Sequence, residues 1–496
     1  MKRLITWLVI VIAAPLGSVA GEPAIVDACR RFLAVEKREV AEASLAGREL
    51  ADSISAYRGN FNDVINALSK VDTSNRQDVS GVLSDQRFSC PELADAYSQD
   101  MLHFFVPDAY QTSKPFGLII FMHGGGRTTD RQHPIHVVSD PESDSQSIGL
   151  QTHFADLPFI IVAPSAPWNE NTGARWNVPG ADDYIGAVIK ECNYRFNIDT
   201  DRVFLGGYSM GGFGAFHLCQ RLSDRLAGGF VFSGAWKTTH WKAWTGLPLF
   251  LRHGINDASP NDKRDGQSRP RFTDVFYARS ASRRMRELGL PHLYIEDDGN
   301  HAIRPATQAM SAMADWVQHP RRDPFANHVI AVSPHGWKAT DDTPTPHCRW
   351  ISIDKIGDGE IDFDRVILNG PPPAFGESPE NFNKQTFELG VQKVVAGLVD
   401  ARIETENRIM VQTENVQKFS IWLHPEMVDF SQPIHVSLNG IESSHKVTPN
   451  LLVALLSYER RGDWRLVYHA KIELKCDTQP APDEVASPKS PAGTNQ

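Results

Sequence analysis

The chain has 496 residues, 41% hydrophobic and 22% charged, which is ordinary globular usage and excludes a mostly disordered protein; the length allows two or three domains. With 50 basic and 60 acidic side chains the net charge is −10, so no broad positive field is available to attract phosphates, which argues against nucleic acid as a partner. Lys2 and Arg3 precede an apolar run over 4–16, and Ser18-Val19-Ala20 supplies the small residues a signal peptidase reads. Residues 1–20 are therefore read as a cleaved export signal, destined for the periplasm or the exterior. The run is too short for a spanning helix, which needs about 20 apolar residues, and no Cys follows it to carry a lipid, so no stable membrane insertion is expected.

Residues 21–100 are rich in Ala, Glu, Asp, Ser and Arg, with Ile54, Tyr57, Phe61, Val64, Ile65 and Leu68 at helical spacing, and predict a small helical region without a chemical motif. From 101 to 320 short β-branched or aromatic runs (118–122, 159–163, 203–205, 229–232, 247–252 and 292–296) alternate with amphipathic helices at 183–196 and 306–318. That alternation predicts an α/β domain with a mostly parallel sheet covered by helices on both faces. Beyond Pro320 the alternation stops. Over 326–476 the runs are strand-like, with Asn439-Gly440 as a hairpin turn and a helical patch at 451–459, and they predict a β-sandwich-like domain. The Pro-, Ser- and Ala-rich tail at 477–496 is expected to be disordered.

Six cysteines, an even number in an exported chain, suggest disulfides. Position favours Cys29 with Cys90 and Cys348 with Cys476, while Cys192 and Cys219 sit among apolar helix neighbours and read as buried thiols. No Cys-x-x-Cys pair occurs, so a thiolate zinc site has little support.

The segment Gly207-Tyr208-Ser209-Met210-Gly211 has a strand before it and a helix after it, with Phe213, Phe216 and Cys219 on one stripe. That is the strand-turn-helix setting of a nucleophile elbow, in which the serine takes a strained backbone conformation and the flanking glycines let strand and helix approach. A serine hydroxyl needs a base, and the base an orienting carboxylate. Asp257 follows the strand at 247–252 and His301 follows the strand at 292–296. His253, one residue before Gly254, reads as packing at a strand end, and Asp262, Asp297 and Asp298 are fallback carboxylates. His123-Gly124-Gly125-Gly126 follows the strand at 118–122 as an oxyanion loop should, with the backbone N–H of Gly125 paired to that of Met210.

These motifs resemble the α/β-hydrolase superfamily, more narrowly secreted esterases similar to polyhydroxybutyrate depolymerases and feruloyl esterases, and the catalytic domain of prolyl oligopeptidase-type enzymes. The resemblance covers 101–320 and implies a Ser209, Asp257, His301 triad, no metal or organic cofactor, and a plant- or polymer-derived ester as substrate. Fewer than 90 helical-looking residues follow the export signal and precede the catalytic segment, where prolyl oligopeptidases usually carry a large β-propeller; this favours a serine carboxylic-ester hydrolase over a serine peptidase. A third reading, a non-catalytic polysaccharide-binding protein on the same scaffold, fits less well, because nucleophile, base, acid and oxyanion loop are all present. Trp168, Trp176, Trp236, Trp241 and Trp244, in loops after strands, are candidates either for a stacking cleft or for loop packing, and Trp350, Trp422 and Trp464 for core packing ahead of carbohydrate binding.

Overall fold

The structure is a computed structural model describing residues 22–34, 40–70, 74–125, 135–138, 148–169, 173–255, 257, 263–264, 267–268, 273–303, 307–333, 347–368, 387–405 and 407–476. The export signal, Asp262 and the tail at 477–496 lie outside the described residues. The described residues divide into two compact units, one within 1–73 and 449–469, the other within 74–448 and 470–496.

The smaller unit is helical. Helices α1 (Glu22–Ala34), α2 (Val40–Ala56) and α3 (Phe61–Ser69) bury Ile25, Cys29, Leu50, Val64 and Leu68 in one apolar cluster. The cluster is completed by Leu451 and Leu455 from a helix far along the chain, α8 (Leu451–Arg461), where Trp464 stacks on Tyr458 at 3.9 Å. The patch expected at 451–459 is thus a helix, and it belongs with the first three.

The larger unit is built on an eight-stranded sheet: β1 (Gly81–Gln86), β2 (Leu102–Val106), β3 (Phe116–Met122), β4 (Phe159–Pro164), β5 (Ile198–Tyr208), β6 (Gly228–Phe232), β7 (Leu249–Gly254) and β8 (His292–Asp297), in spatial order β1-β2-β4-β3-β5-β6-β7-β8. The pairs from β4 onward are parallel, while β1 with β2 and β2 with β4 are antiparallel. Each run singled out between 118 and 296 is a strand. The edge strand β1 lies inside the stretch read as helical, whose helical character in the structure ends at α3 apart from a single short turn at Pro91–Ala94.

Continuous apolar strands such as β3 are buried along their whole length because both faces are covered. Leu118, Ile120 and Met122 point to one side, where α4 (Ala181–Arg195) and α5 (Met210–Arg221) contribute Ile185, Val188, Phe216 and Cys219. Ile119 and Phe121 point to the other, toward Met310 and Met313 of α7 (Thr307–Trp316). This strand period of two against a helical period of 3.6 is what the sequence pattern encodes.

After α7 the chain is mostly strand. One sheet orders β9 (His328–Ser333), β13 (Gly397–Ile403), β14 (Arg408–Glu414), β16 (Ile434–Leu438) and β17 (Ile441–His445). A second joins His347–Cys348, β10 (Ile351–Ile356), β15 (Val416–Leu423) and β18 (Ala470–Lys475), and β10 packs on both β9 and β13. The hairpin of β11 (Glu360–Leu368) and β12 (Phe387–Val395) pairs instead with Thr238–Thr239, beyond β6. It also packs on α6 (Val275–Glu287), where Arg284 Nε bonds Asp364 at 3.0 Å and Phe276 meets Phe387 at 6.2 Å.

All six cysteines are free thiols, so neither expected disulfide forms. Cys29 is buried in the helical core and Cys90 in the sheet's core. Ser223 Oγ lies 3.5 Å from Cys348 Sγ, and Thr413 Oγ1 lies 3.5 Å from Cys476 Sγ.

Candidate active site

Strand β5 ends at Tyr208 and α5 begins at Met210, leaving Ser209 alone in the turn with φ 52° and ψ −113°. A side-chain-bearing residue is strained at this φ. The strain is held by backbone bonds on both sides: Ser209 N–H donates to Phe232 O at 3.0 Å, and Ser209 O accepts from Phe213 N–H at 2.9 Å. A Cβ at Gly207 or at Gly211 would run into the carbonyl oxygen of Met122, so both positions require glycine if α5 is to start this close to β3.

The acid and the base arrive from β7 and β8, the two strands beyond β6 in the parallel sheet. Asp257 follows β7 in a tight turn in which Asp257 N–H donates to Gly254 O at 3.0 Å and Ile255 N–H donates to Asp297 O at 2.8 Å. His301 follows β8. Its Nε2 is 3.0 Å from Ser209 Oγ and its Nδ1 is 2.9 Å from Asp257 Oδ2. With the proton on Nδ1 donated to the carboxylate, Nε2 is left to accept the serine O–H. The structure therefore brings Ser209, His301 and Asp257 into one hydrogen-bonded line.

Asp257 is buried, whereas the His301 side chain is 39% exposed. Burial pushes the carboxyl of Asp257 up, but bonds from His253 and His301 outweigh it and hold the group down at about 2. Its other oxygen accepts from Thr273 Oγ1 at 2.9 Å. The ring of Tyr208 lies 5.3 Å from that of His301; burial, and then the Asp257 charge, push its phenol up to about 12, keeping it neutral.

His253, read from the sequence as packing, is buried at the end of β7 with Nε2 3.0 Å from Asp257 Oδ2 and 2.8 Å from Thr273 O. Its i, i+4 spacing from Asp257 across a glycine turn was the available signal. Of the fallback carboxylates, Asp297 is taken up by Arg252, which bonds it through Nε at 2.7 Å and Nη2 at 2.6 Å and also donates to Ser233 Oγ at 3.1 Å. This ion pair, buried on the Arg252 side and half-buried at Asp297, fixes the base of the loop that carries His301, as Gly299 N–H also bonds Asp297 Oδ1 at 3.0 Å.

Gly125 lies against Met210: a Cβ built on it would sit 3.3 Å from Met210 Cβ. The loop before it is pinned through His123, whose carbonyl accepts from Trp176 Nε1 at 3.0 Å and whose Nε2 accepts from Ala166 N–H at 3.2 Å. With Nε2 an acceptor, Nδ1 carries the proton and donates to Gly124 O at 2.8 Å. Trp176, Trp236, Trp241 and Trp244 are all buried, which assigns them to loop packing rather than to a stacking cleft. Trp350 and Trp422 are likewise core residues, and the Trp168 side chain lies outside the described residues. Among the described residues no group of three or more His, Cys, Asp or Glu side chains could hold a metal ion.

A mostly parallel eight-stranded sheet with this crossover order, helices on both faces and a serine on a strained strand-to-helix turn defines an α/β-hydrolase fold. No protein-family model matches the chain. By sequence it is similar to the bifunctional acetylxylan esterase/xylanase XynS20E of Neocallimastix patriciarum, 26% identical over 158 residues, covering 32% of this chain and 21% of that protein. It is also similar to the esterase Rv1288 of Mycobacterium tuberculosis, 23% identical over 251 residues, covering 41% of this chain and 53% of that one. The chain thus spans about half or less of the curated relatives it matches. A solved ferulic acid esterase aligns over 48% of this chain and 96% of its own, with 17% identity and a TM-score of 0.36. The chain thus has an α/β-hydrolase fold, and the curated proteins it is similar to by sequence are named as esterases. Among the described residues no helix is long and apolar enough to cross a membrane.

Proposed function

We propose that this protein is an exported serine hydrolase that cleaves carboxylic esters through an acyl-enzyme intermediate. What carries the reading is the continuous line of hydrogen bonds from Ser209 through His301 to Asp257, at 3.0 and 2.9 Å, on an α/β-hydrolase elbow. Ser209 Oγ attacks the ester carbonyl as His301 Nε2 takes its proton; the imidazolium is stabilised and oriented by Asp257 and returns the proton to the leaving alcohol. The tetrahedral oxyanion is held by the backbone N–H groups of Met210 and Gly125, the first of them at the N-terminus of α5, where the helix dipole also favours negative charge. Water activated by His301 then releases the acid. The chemistry is complete with these groups and calls for no cofactor.

The substrate class we propose is an acyl ester of a plant- or polymer-derived alcohol, in keeping with the acetylxylan esterase among the sequence relatives. The test is covalent labelling by a fluorophosphonate followed by turnover of p-nitrophenyl acetate. Wild-type protein should label at Ser209, and Ser209→Ala should lose label and at least about 10⁴-fold in kcat. Undiminished turnover by the variant would remove Ser209 as the nucleophile.

A further inference from the structure

Asp257 is served by two imidazoles. His301 Nδ1 and His253 Nε2 stand 2.9 and 3.0 Å from the same carboxylate oxygen, Oδ2. His253 comes from β7, one strand away from the His301 loop, and is fully buried, so it cannot be an incidental surface neighbour. Its Nε2 also lies 2.8 Å from Thr273 O. A ring nitrogen facing a carbonyl oxygen and a carboxylate oxygen has two acceptors before it and no donor, so it must carry the proton and share it between them. Thr273 closes the arrangement, because its hydroxyl bonds the other carboxylate oxygen, Oδ1, at 2.9 Å. The carboxylate plane is thereby fixed by two groups that take no part in the proton transfer.

We propose that His253 is a positioning residue for the reaction, donating its Nε2–H to Asp257 so that the carboxylate stays ionised and keeps Oδ2 turned toward His301. The inference rests on the serine-hydrolase reading above and adds to it a residue that acts through the acid rather than on substrate. Among the described residues, the charged or titratable groups that neighbour this pair include Glu296, the register partner of His253 on β8; Tyr208 at the end of β5, beside Asp257; Arg252, which is engaged with Asp297; and His301 itself. With the His253 donor removed, Oδ2 has His301 as its remaining imidazole donor. Carboxylate charge concentrates on that bond, the imidazolium is favoured, and a higher pH is needed to free the base.

The experiment compares kcat and KM for p-nitrophenyl acetate across pH in wild type, His253→Phe and His253→Gln. The Phe variant keeps the bulk and loses the donor; the expected result is a fall in kcat of about tenfold, the size of one lost charge-assisted hydrogen bond, with KM within about twofold and the acid limb displaced to higher pH. Gln, whose amide N–H can reach the same acceptors, should recover most of kcat and return the limb toward wild type. A folded Phe variant with kcat and acid limb unchanged would overturn the proposal and leave His253 as packing. If the Phe variant does not fold, the decision passes to the Gln variant and to ¹⁵N-histidine NMR of the wild type, where His253 must carry its proton on Nε2; a proton on Nδ1 alone, or a Gln variant as impaired as Ser209→Ala, overturns it. Wild type inactive and unlabelled by fluorophosphonate would instead defeat the hydrolase reading, a result distinct from all of these.

Discussion

Replacing Asp257 by Asn should change how stability depends on pH, not only how fast the enzyme works. In the folded protein the carboxyl is held at about 2, against an ordinary value of 3.8. A carboxyl whose folded value is depressed stabilises the fold at pH values above its unfolded value, and that contribution drains away as pH falls through the folded one. The interval, a little under two pH units, corresponds to about 2 kcal/mol, fully present above roughly pH 5 and lost between roughly pH 4 and 2. Asn cannot ionise, so Asp257→Asn lacks this component at every pH, and the gap between wild type and variant should narrow by that amount on acidification. The assay is paired urea unfolding of the two proteins from pH 7 down to pH 3, by which point about 1 kcal/mol, roughly half of the narrowing, should have appeared, following tryptophan fluorescence, with the difference taken at each pH so that other carboxyls cancel. The buried Trp176, Trp236, Trp241 and Trp244 of the larger unit supply the signal. Curves that stay parallel throughout would mean that the donors from His253 and His301 do not outweigh burial, and the reasoning about the acid would fail.

Gly211→Ala should be among the most damaging single-methyl changes in the chain, because the added Cβ meets the backbone oxygen of Met122 and no flexible side chain can yield. A cost of about 3 kcal/mol or more, the range of severe overpacking, is expected in thermal or urea melts together with loss of fluorophosphonate labelling; a variant of wild-type stability would show that α5 is not tightly seated on β3. The cysteines make the converse prediction. Since all six are free and burial pushes the thiols of Cys192 and Cys219 up, the five buried thiols of the native protein should be slow to alkylate while the half-buried Cys476 reacts first, six thiols should be released on denaturation, and the protein should melt at the same temperature with or without dithiothreitol. A lower melting temperature in reductant would restore the disulfide expectation.

The sheet and the three aligned side chains were legible for a local reason. Each parallel strand is a short uninterrupted apolar run, and each of Ser209, Asp257 and His301 follows one directly, so the fold delivers them to one edge without any long-range information beyond strand order. What was not legible depends on contacts between distant residues. The helix α8 has the same local pattern wherever it packs; only Leu451 and Leu455 meeting Ile25 and Val64 place it with the first three helices. The cysteine count suggested pairs because parity carries no distances; Cys29 lies in the helical core and Cys90 in the sheet's core, and all six are free thiols. The contact of His253 with Asp257 was not legible, because a histidine ending a buried strand is ordinarily satisfied by the nearest carbonyl. His253 does bond one, at Thr273, but the same turn also folds Asp257 back onto it.

The β-rich segment after α7 has a place in this arrangement even though it contributes no side chain to the catalytic line. Two of its sheets pack on each other, but the hairpin β11–β12 leaves them and attaches to the hydrolase sheet through Thr238–Thr239 and to α6 through Asp364 and Phe387. Helix α6 begins immediately after Thr273 and Asp274, and Asp274 caps it by accepting from Phe276 N–H at 2.9 Å. Thr273 bonds the acid through its hydroxyl and His253 through its carbonyl, so whatever fixes the start of α6 fixes the carboxylate. A helix seated only on β7 and β8 would be packed on one side; the hairpin covers it on a second, with Arg283 over the Phe387 ring and Arg284 paired to Asp364. Precision of a few tenths of an ångström at an orienting carboxylate requires such support from residues outside the reacting set. That requirement gives a physical reason for the β-rich segment to share one compact unit with the parallel sheet.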